Sequence, residues 1–246
     1  MAVSRRLEFG GSMTDRAPAP VTVLFDIDGT LVDSNYLHVD AFDRAFAATG
    51  HPVDAWRIHR SIGMDSAALL DALLGPVVEG LSDDKAEELG EAVKDGHSRN
   101  YLAMADRLRP FAGAVDLLRA LAKRGHAVVL ATSSPEDELE VLLKVLDVDD
   151  ALAATTSSAD VETAKPEPDI MHAALGKVGA HPDDAIMVGD SVWDVRASER
   201  AGVPCIGLLS GGSGRDELLE AGAVAVYDDV ADLLENLDSS PLASTA

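Results

Sequence analysis

Cysteine is nearly absent from this chain. Cys205 stands alone, so no disulfide can close within the chain, and the composition suits a reducing compartment, with the cytoplasm as the expected location. Aromatic residues are scarce as well: at 4%, with two tryptophans, they offer no stacking platform for nucleobases. Positive charge is thin, 20 Lys and Arg against 43 Asp and Glu, for a formal charge of −23. Such a surface repels phosphate backbones and anionic lipid, which argues against nucleic-acid and membrane partners. It leaves room for a small anionic substrate, because local cations or a metal reverse the field inside a site. No apolar run approaches the ~20 residues of a membrane helix. The Arg5-Arg6 pair near the start has no apolar stretch behind it, so no secretory signal is expected.

What is present is ample apolar material, 47% of 246 residues, enough for one large domain or a core with a smaller insert. From about residue 110 the pattern alternates. "GAVDLLRALAKRG" sets Val115, Leu118 and Leu121 on one helical face and stops at Gly125. "HAVVLATS", "ALAATTS", "AIMVGD", "VPCIGLL" and "VAVYD" read as strands, the second weakly. "EDELEVLLKVLD", "PDIMHAALGKVG", "DVRASERAG", "RDELLEAG" and "DVADLLENL" read as the helices between and after them. Apolar strands separated by amphipathic helices predict an α/β fold, a Rossmann-like parallel sheet covered on both faces.

Residues 35–108 break the rhythm with helical patterns only, which predicts a small all-helical insert, a cap, between the first strand and the rest of the sheet. The expected organisation is a loose tail over 1–19, an α/β core over 20–34 and 109–238, the insert, and a second loose tail over 239–246. Met13 is an alternative start. "RPFAG" (109–113) reads as the return linker.

Ligands of open parallel sheets gather at the carboxyl ends of strands. The first strand, in "VLFDIDGTLVDS", ends at Asp26-Ile27-Asp28; the next ends at Thr132-Ser133-Ser134. "AIMVG" runs into Asp190, with Asp194 four residues on, and the loop between carries Lys165 in "AKPEP". Asp26 and Asp28, two apart in extended chain, point the same way. With Asp190 they form a costly group of like charges unless a cation compensates. Oxygen ligands of this kind suit Mg²⁺, which takes its remaining ligands from water and phosphate. Lys165 supplies a second positive charge, and Thr132 offers a hydroxyl to an oxyanion. Singly, each is ordinary: Asp-Gly marks turns, Thr132 or Ser133 serves as a helix N-cap, and Lys165 as a surface lysine. Four such features in order at strand ends describe a phosphoryl site.

"DIDGTLVDS", "LATSS", "KPEP" and "GDSVWDV" resemble, in order, the four motifs of the haloacid dehalogenase (HAD) superfamily. The resemblance runs from about residue 20 to 238, and the insert's position is similar to that in phosphoglycolate phosphatases and β-phosphoglucomutases. It implies a phosphatase of a small phosphorylated metabolite, with Asp26 as nucleophile forming an aspartyl-phosphate and Asp28 as general acid and base. It further implies that Thr132 holds phosphoryl oxygens, assisted by Ser133, and that Lys165 neutralises charge. Mg²⁺ would bind Asp26, the Asp28 carbonyl and Asp190, while Asp194 orients its water shell or Lys165. Asp28 disfavours a true dehalogenase, whose halide leaves without a proton.

For substrate binding, His38 matches a His of this subgroup near the hinge. "HRSIGMDSAALL" resembles the substrate-facing loop, with Arg60 and Gly63 between two helices and Arg60 as the candidate for an anionic or polyol group. "ATSSP" departs from the Thr-Asn of phosphoglycolate phosphatases, which argues against glycolate. "SGGSGRDELL" lacks the spacing and lysine of a phosphate loop and reads as a turn in which Ser213 caps the next helix. A phosphomutase and a non-catalytic binding protein are the alternatives; the intact acid/base Asp28 argues against the second.

Overall fold

The computed structural model describes residues 21–243 apart from 65, 162 and 164. The tail expected over 1–19 lies outside the described residues.

Six strands form one all-parallel sheet: β1 (Thr22–Phe25), β2 (Ala127–Leu130), β3 (Ala154–Thr155), β4 (Ala185–Gly189), β5 (Cys205–Leu208) and β6 (Ala225–Tyr227). Their order is β3-β2-β1-β4-β5-β6, so β1 is central and the chain reverses direction beside it. That reversal opens the crevice where ligands of such sheets bind. Ten α-helices are described: α1 (Asn35–Ala48), α2 (Ala55–Ser61), α3 (Ser66–Val78), α4 (Asp83–Leu102), α5 (Ala114–Lys123), α6 (Glu136–Leu146), α7 (Asp169–Val178), α8 (Val192–Ala201), α9 (Arg215–Glu220) and α10 (Val230–Glu235).

The strands alternate between two apolar layers, as a sheet buried on both faces requires. Val23, Phe25, Val128, Leu130, Ile186 and Val188 join Leu117, Leu118, Leu121 and Leu142 on one face. Leu24, Val129, Met187 and Cys205 join Ile170, Met171, Leu175 and Val195 on the other. Ile27 extends the odd-numbered face beyond β1, which turns Asp26 and Asp28 away from that apolar layer.

Helices α1–α4 fall between β1 and β2 and enclose a third cluster of Val39, Phe42, Phe46, Ile58, Leu69, Leu73, Leu74 and Val93. The two crossings between sheet and insert run side by side. Phe111 N–H donates to Leu31 O (2.9 Å), Asp33 N–H to Arg109 O (3.0 Å), and Arg109 pairs with Asp33. "RPFAG" is therefore a paired neck.

Three expectations change. Residues 55–61 form α2, so Arg60 lies in a helix's last turn and outside a loop. Gly214, and not Ser213, caps α9, its N–H held by the Glu217 carboxylate at 2.8 Å. The chain end over 239–243 is packed, because Leu242 (1% exposed) belongs to the first apolar layer and Ser240 is buried. A buried leucine contributes roughly 1.5–3 kcal/mol, enough to hold such a segment down; residues 244–246 lie outside the described residues.

Candidate active site

The strand ends converge on a cavity of about 120 Å³ lined by Asp26, Asp28, Thr132, Ser133, Lys165 and Asp190 from the sheet side. His38, Phe42, Ile62, Gly63, Met64 and Leu69 line it from the insert. Asp26 directly follows β1 and is fixed by its own N–H, which donates to Val188 O (3.0 Å). The turn after it needs glycine at 29: φ is +76°, and a Cβ would stand 2.2 Å from Asn35 Nδ2 and 2.6 Å from Asp190 Oδ2.

Lys165 is buried between carboxylates, paired with Asp26 Oδ1 and, at 2.6 Å, with Asp194 Oδ1. Burial disfavours its charge, but the charges of Asp194 and Asp26 outweigh burial and keep it protonated. Burial pushes Asp26 well up; Lys165 opposes this, while Asp194, Asp190 and Asp28 add to it. Asp190 is raised by burial and by Asp194, against hydrogen bonds from Thr30 Oγ1 (2.8 Å) and Asn35 Nδ2 (2.9 Å). Asp194 is set by α8, whose N-cap Ser191 donates to Asp194 Oδ2 through both its N–H (3.0 Å) and its hydroxyl (2.6 Å).

The ligand atoms of Asp26, Asp190 and Asp194 lie within 4.8 Å of one another. Three buried carboxylates with one ammonium among them leave negative charge uncompensated, and their hard oxygens suit a divalent cation. The buried Asn35 Oδ1, beside them, has no hydrogen-bond partner among the described residues and is a ready acceptor for a cation's water. The donor set fits Mg²⁺.

Asp28 has a different environment. Its Oδ1 accepts from Ser34 Oγ (2.6 Å), His38 Nε2 (3.1 Å) and Tyr101 Oη (3.4 Å), and its Oδ2 from Ser134 Oγ (3.2 Å). Burial raises this carboxyl, but the His38 charge and these hydrogen bonds win and hold it at about 2. Burial lowers His38 in turn, and Asp28 more than reverses that, so the imidazole is raised and carries a proton. His38 Nδ1 lies 2.9 Å from His97 Nε2. Burial, then the His38 charge, lowers His97 to about 3, so it is neutral. A doubly protonated His38 donates from both nitrogens, which places the single proton of His97 on Nδ1.

Of the residues expected from sequence, Asp26, Asp28, Thr132, Ser133, Lys165, Asp190, His38 and Gly63 share the cavity wall, with Asp194 behind Lys165. Thr132 and Ser133 do not cap α6, whose N-cap is Pro135. Thr132 Oγ1 lies 2.8 Å from Ser134 Oγ, and its N–H donates to Thr156 Oγ1 (3.1 Å). His38 Nε2 is occupied by Asp28. Gly63 follows α2 with φ +90°, and a Cβ there would stand 2.8 Å from Ser191 Oγ. Arg60 does not face the cavity: it lines a smaller neighbouring pocket and pairs with Glu217 at 2.8 Å, because the last turn of α2 carries it over α9.

Sequence reasoning missed Thr30, Asn35, His97, Tyr101 and Glu138, and named Ser134 at its strand end without a role. The signal for three of them was periodicity: His97 lies between Val93 and Tyr101 at i±4, and Glu138 takes the stripe position four before Leu142.

The chain is similar to known proteins over most of its length. A phosphoglycolate phosphatase of Rhodospirillum rubrum is 33% identical over 87% of this chain and 89% of its own length. The crystal structure of a hydrolase from Pseudomonas syringae superposes with a TM-score of 0.81 at 37% identity, covering 89% of this chain and 98% of that one. A putative β-phosphoglucomutase from Bacteroides vulgatus shares the fold at TM-score 0.79 and 20% identity, over 94% and 92% of the two chains. The profile of haloacid dehalogenase-like hydrolases matches residues 21–202, the span that holds every strand-end group described above, and the chain belongs to that family.

Proposed function

We propose that this protein is a Mg²⁺-dependent cytoplasmic phosphatase that hydrolyses a small phosphomonoester, a sugar phosphate or related metabolite, through an aspartyl-phosphate. The observation that carries this reading is the contrast between two carboxylates two residues apart. Asp26 is pinned by Lys165 amid acidic groups, while Asp28 is surrounded by donors and shares a proton with His38. Opposite environments of this kind divide nucleophile from acid/base.

Lys165 holds Asp26 Oδ1, orienting the carboxylate so that Oδ2 attacks phosphorus. The alkoxide that leaves takes a proton from Asp28, and the same group then accepts one from the water that cleaves the acyl phosphate. Asp28 is ionised as it stands, and the proton resides on His38 Nε2, 3.1 Å away, positioned to reload it. Thr132 and Ser133 line the phosphoryl end. Mg²⁺ held by Asp26, Asp190 and the Asp28 carbonyl, with Asp194 behind, would offset phosphoryl charge. A cavity of about 120 Å³ is well below the ~300–1,000 Å³ of larger ligand sites, which favours a compact substrate. The relative at 33% identity is named for a phosphatase, whereas the mutase likeness at 20% speaks for the fold alone, so hydrolysis is preferred to group return.

Phosphate release over a panel of sugar, glycolate and nucleotide monophosphates, with and without Mg²⁺, tests the reading. Asp26→Asn is expected to lose activity by on the order of 10⁴-fold or more with its circular dichroism unchanged. Robust turnover by that variant refutes the nucleophile.

A further inference from the structure

One cavity group takes no part in the chemistry above. Glu138 lies in the first turn of α6, its side chain 4% exposed, and it forms part of the cavity wall. Its Oε1 has no hydrogen-bond partner among the described residues, and His97 Nδ1 stands 3.7 Å from it, beyond hydrogen-bond reach. A buried carboxylate oxygen without a donor is costly in the free protein, so a ligand that supplies the donor gains what the empty site forfeits. Burial, against the His38 charge, pushes the group up to about 7, consistent with a carboxyl short of partners.

The cations of the cavity are already committed. Lys165 pairs with Asp26 and Asp194, and His38 donates to Asp28 and His97. Arg60 is outside, on Glu217. The rest of the wall from the insert is mainly apolar, Phe42, Ile62, Met64 and Leu69, with two uncharged polar residues, Ser66 and the Asn35 that donates to Asp190. Among the described lining residues, nothing is available to neutralise a carboxylate on the substrate's alcohol part, which would instead meet the Glu138 carboxyl.

We propose that Glu138 is a specificity-determining residue that accepts a hydrogen bond from a hydroxyl of the substrate's alcohol part. It thereby selects hydroxyl-bearing phosphomonoesters, the polyol and sugar phosphates, over those that end in a carboxylate. This rests on the phosphomonoesterase reading and names its substrate class. It separates this chain from the activity for which its 33% identical relative is named, with the difference placed on a core helix beside the second motif.

The test measures kcat/KM for phosphate release by the full chain with Mg²⁺ on glycerol 1-phosphate, erythritol 4-phosphate, propyl phosphate and phosphoglycolate. At about pH 8, where Glu138 is mostly ionised, the faster polyol phosphate is expected to exceed propyl phosphate by roughly tenfold to a hundredfold, as one hydrogen bond to a charged acceptor provides, with phosphoglycolate slower still. Glu138→Leu brings the polyol-to-propyl ratio close to one, chiefly through KM, while Glu138→Gln, which keeps an acceptor oxygen, retains part of it. If Glu138→Leu does not fold, the wild-type ratio and the Gln variant decide. The proposal is overturned by a wild-type ratio near one, by a preference for phosphoglycolate, or by variants that lower all substrates equally, as a structural role would. Wild type that hydrolyses propyl phosphate without polyol preference sinks this inference alone; no release from any phosphomonoester sinks the phosphatase reading and this with it.

Discussion

Replacing His38 with Gln separates the contribution of the Asp28–His38 pair from mere packing. Asp28 falls from the ordinary 3.8 to about 2, and the His38 charge is the largest of the influences that lower it. That depression, at about 1.36 kcal/mol for each step of one in pH, corresponds to roughly 2 kcal/mol of folding free energy at mildly acidic pH. Both side chains are mostly enclosed, 11% and 18% exposed, so solvent screening removes little of it. The sign has two sides. Asp28 is depressed in the fold, so its contribution is present above pH 3.8 and disappears as pH falls through about 2. His38 is raised above 6.5, so its contribution is complete below 6.5 and is lost as pH rises through its folded value. Both describe one interaction, to be counted once, complete between about pH 4 and 6.5. Urea unfolding without divalent cations should therefore show His38→Gln about 2 kcal/mol less stable than wild type at pH 6, with the gap narrowing at pH 9 and again toward pH 2. A gap that stays the same across that range refutes the ion pair and leaves only the loss of ring stacking on Tyr101, whose centroid is 4.0 Å away.

Other consequences follow from the same geometry. Mg²⁺ should raise the melting temperature of wild type in a concentration-dependent way, and Asp190→Asn should abolish most of that increase, because it removes one of the buried carboxylates expected to hold the ion. Gly29→Ala forces a Cβ onto Asn35 and Asp190 at a φ of +76°; differential scanning calorimetry should show a loss of at least ~1–2 kcal/mol, accompanied by loss of phosphatase activity. Arg60 and Glu217, half exposed, should couple by only ~0.2–1 kcal/mol in a double-mutant cycle, and Arg60→Ala should leave KM close to wild type, against the expectation of a substrate contact.

The sheet was legible because its signal is local. β1, β2, β4 and β5 are short apolar runs, and the parity of Val23, Phe25 and Ile27 against Leu24 is written in the chain. α2 was not, since Ile58 and Ser61 are its only buried residues and Trp56 is 67% exposed, so no apolar stripe announces it. The packing of Leu242 was hidden in a stretch whose small polar residues read as a tail. At the site, Asp26, Asp28, Thr132, Lys165 and Asp190 could be found because each ends a strand or lies on its loop, and the topology brings those ends together. His97 and Glu138 are far from the motifs in sequence and meet only through packing of α4 over α6. A charged residue on an apolar stripe was their one trace.

The insert has an apolar cluster that shares no residue with either layer on the sheet, although Leu37, Ala41 and Tyr101 join the first layer beside the paired neck of 31–33 and 109–111. That separate cluster can therefore drift without disturbing the strands that hold Asp26 and Lys165. Damage to that cluster should surface first as promiscuity, with the chemical step intact and its choice of alcohol blurred. By the same logic a lineage can exchange substrates by rewriting the insert, while Glu138, rooted in the sheet's own helix, is a preference that such rewriting would leave behind.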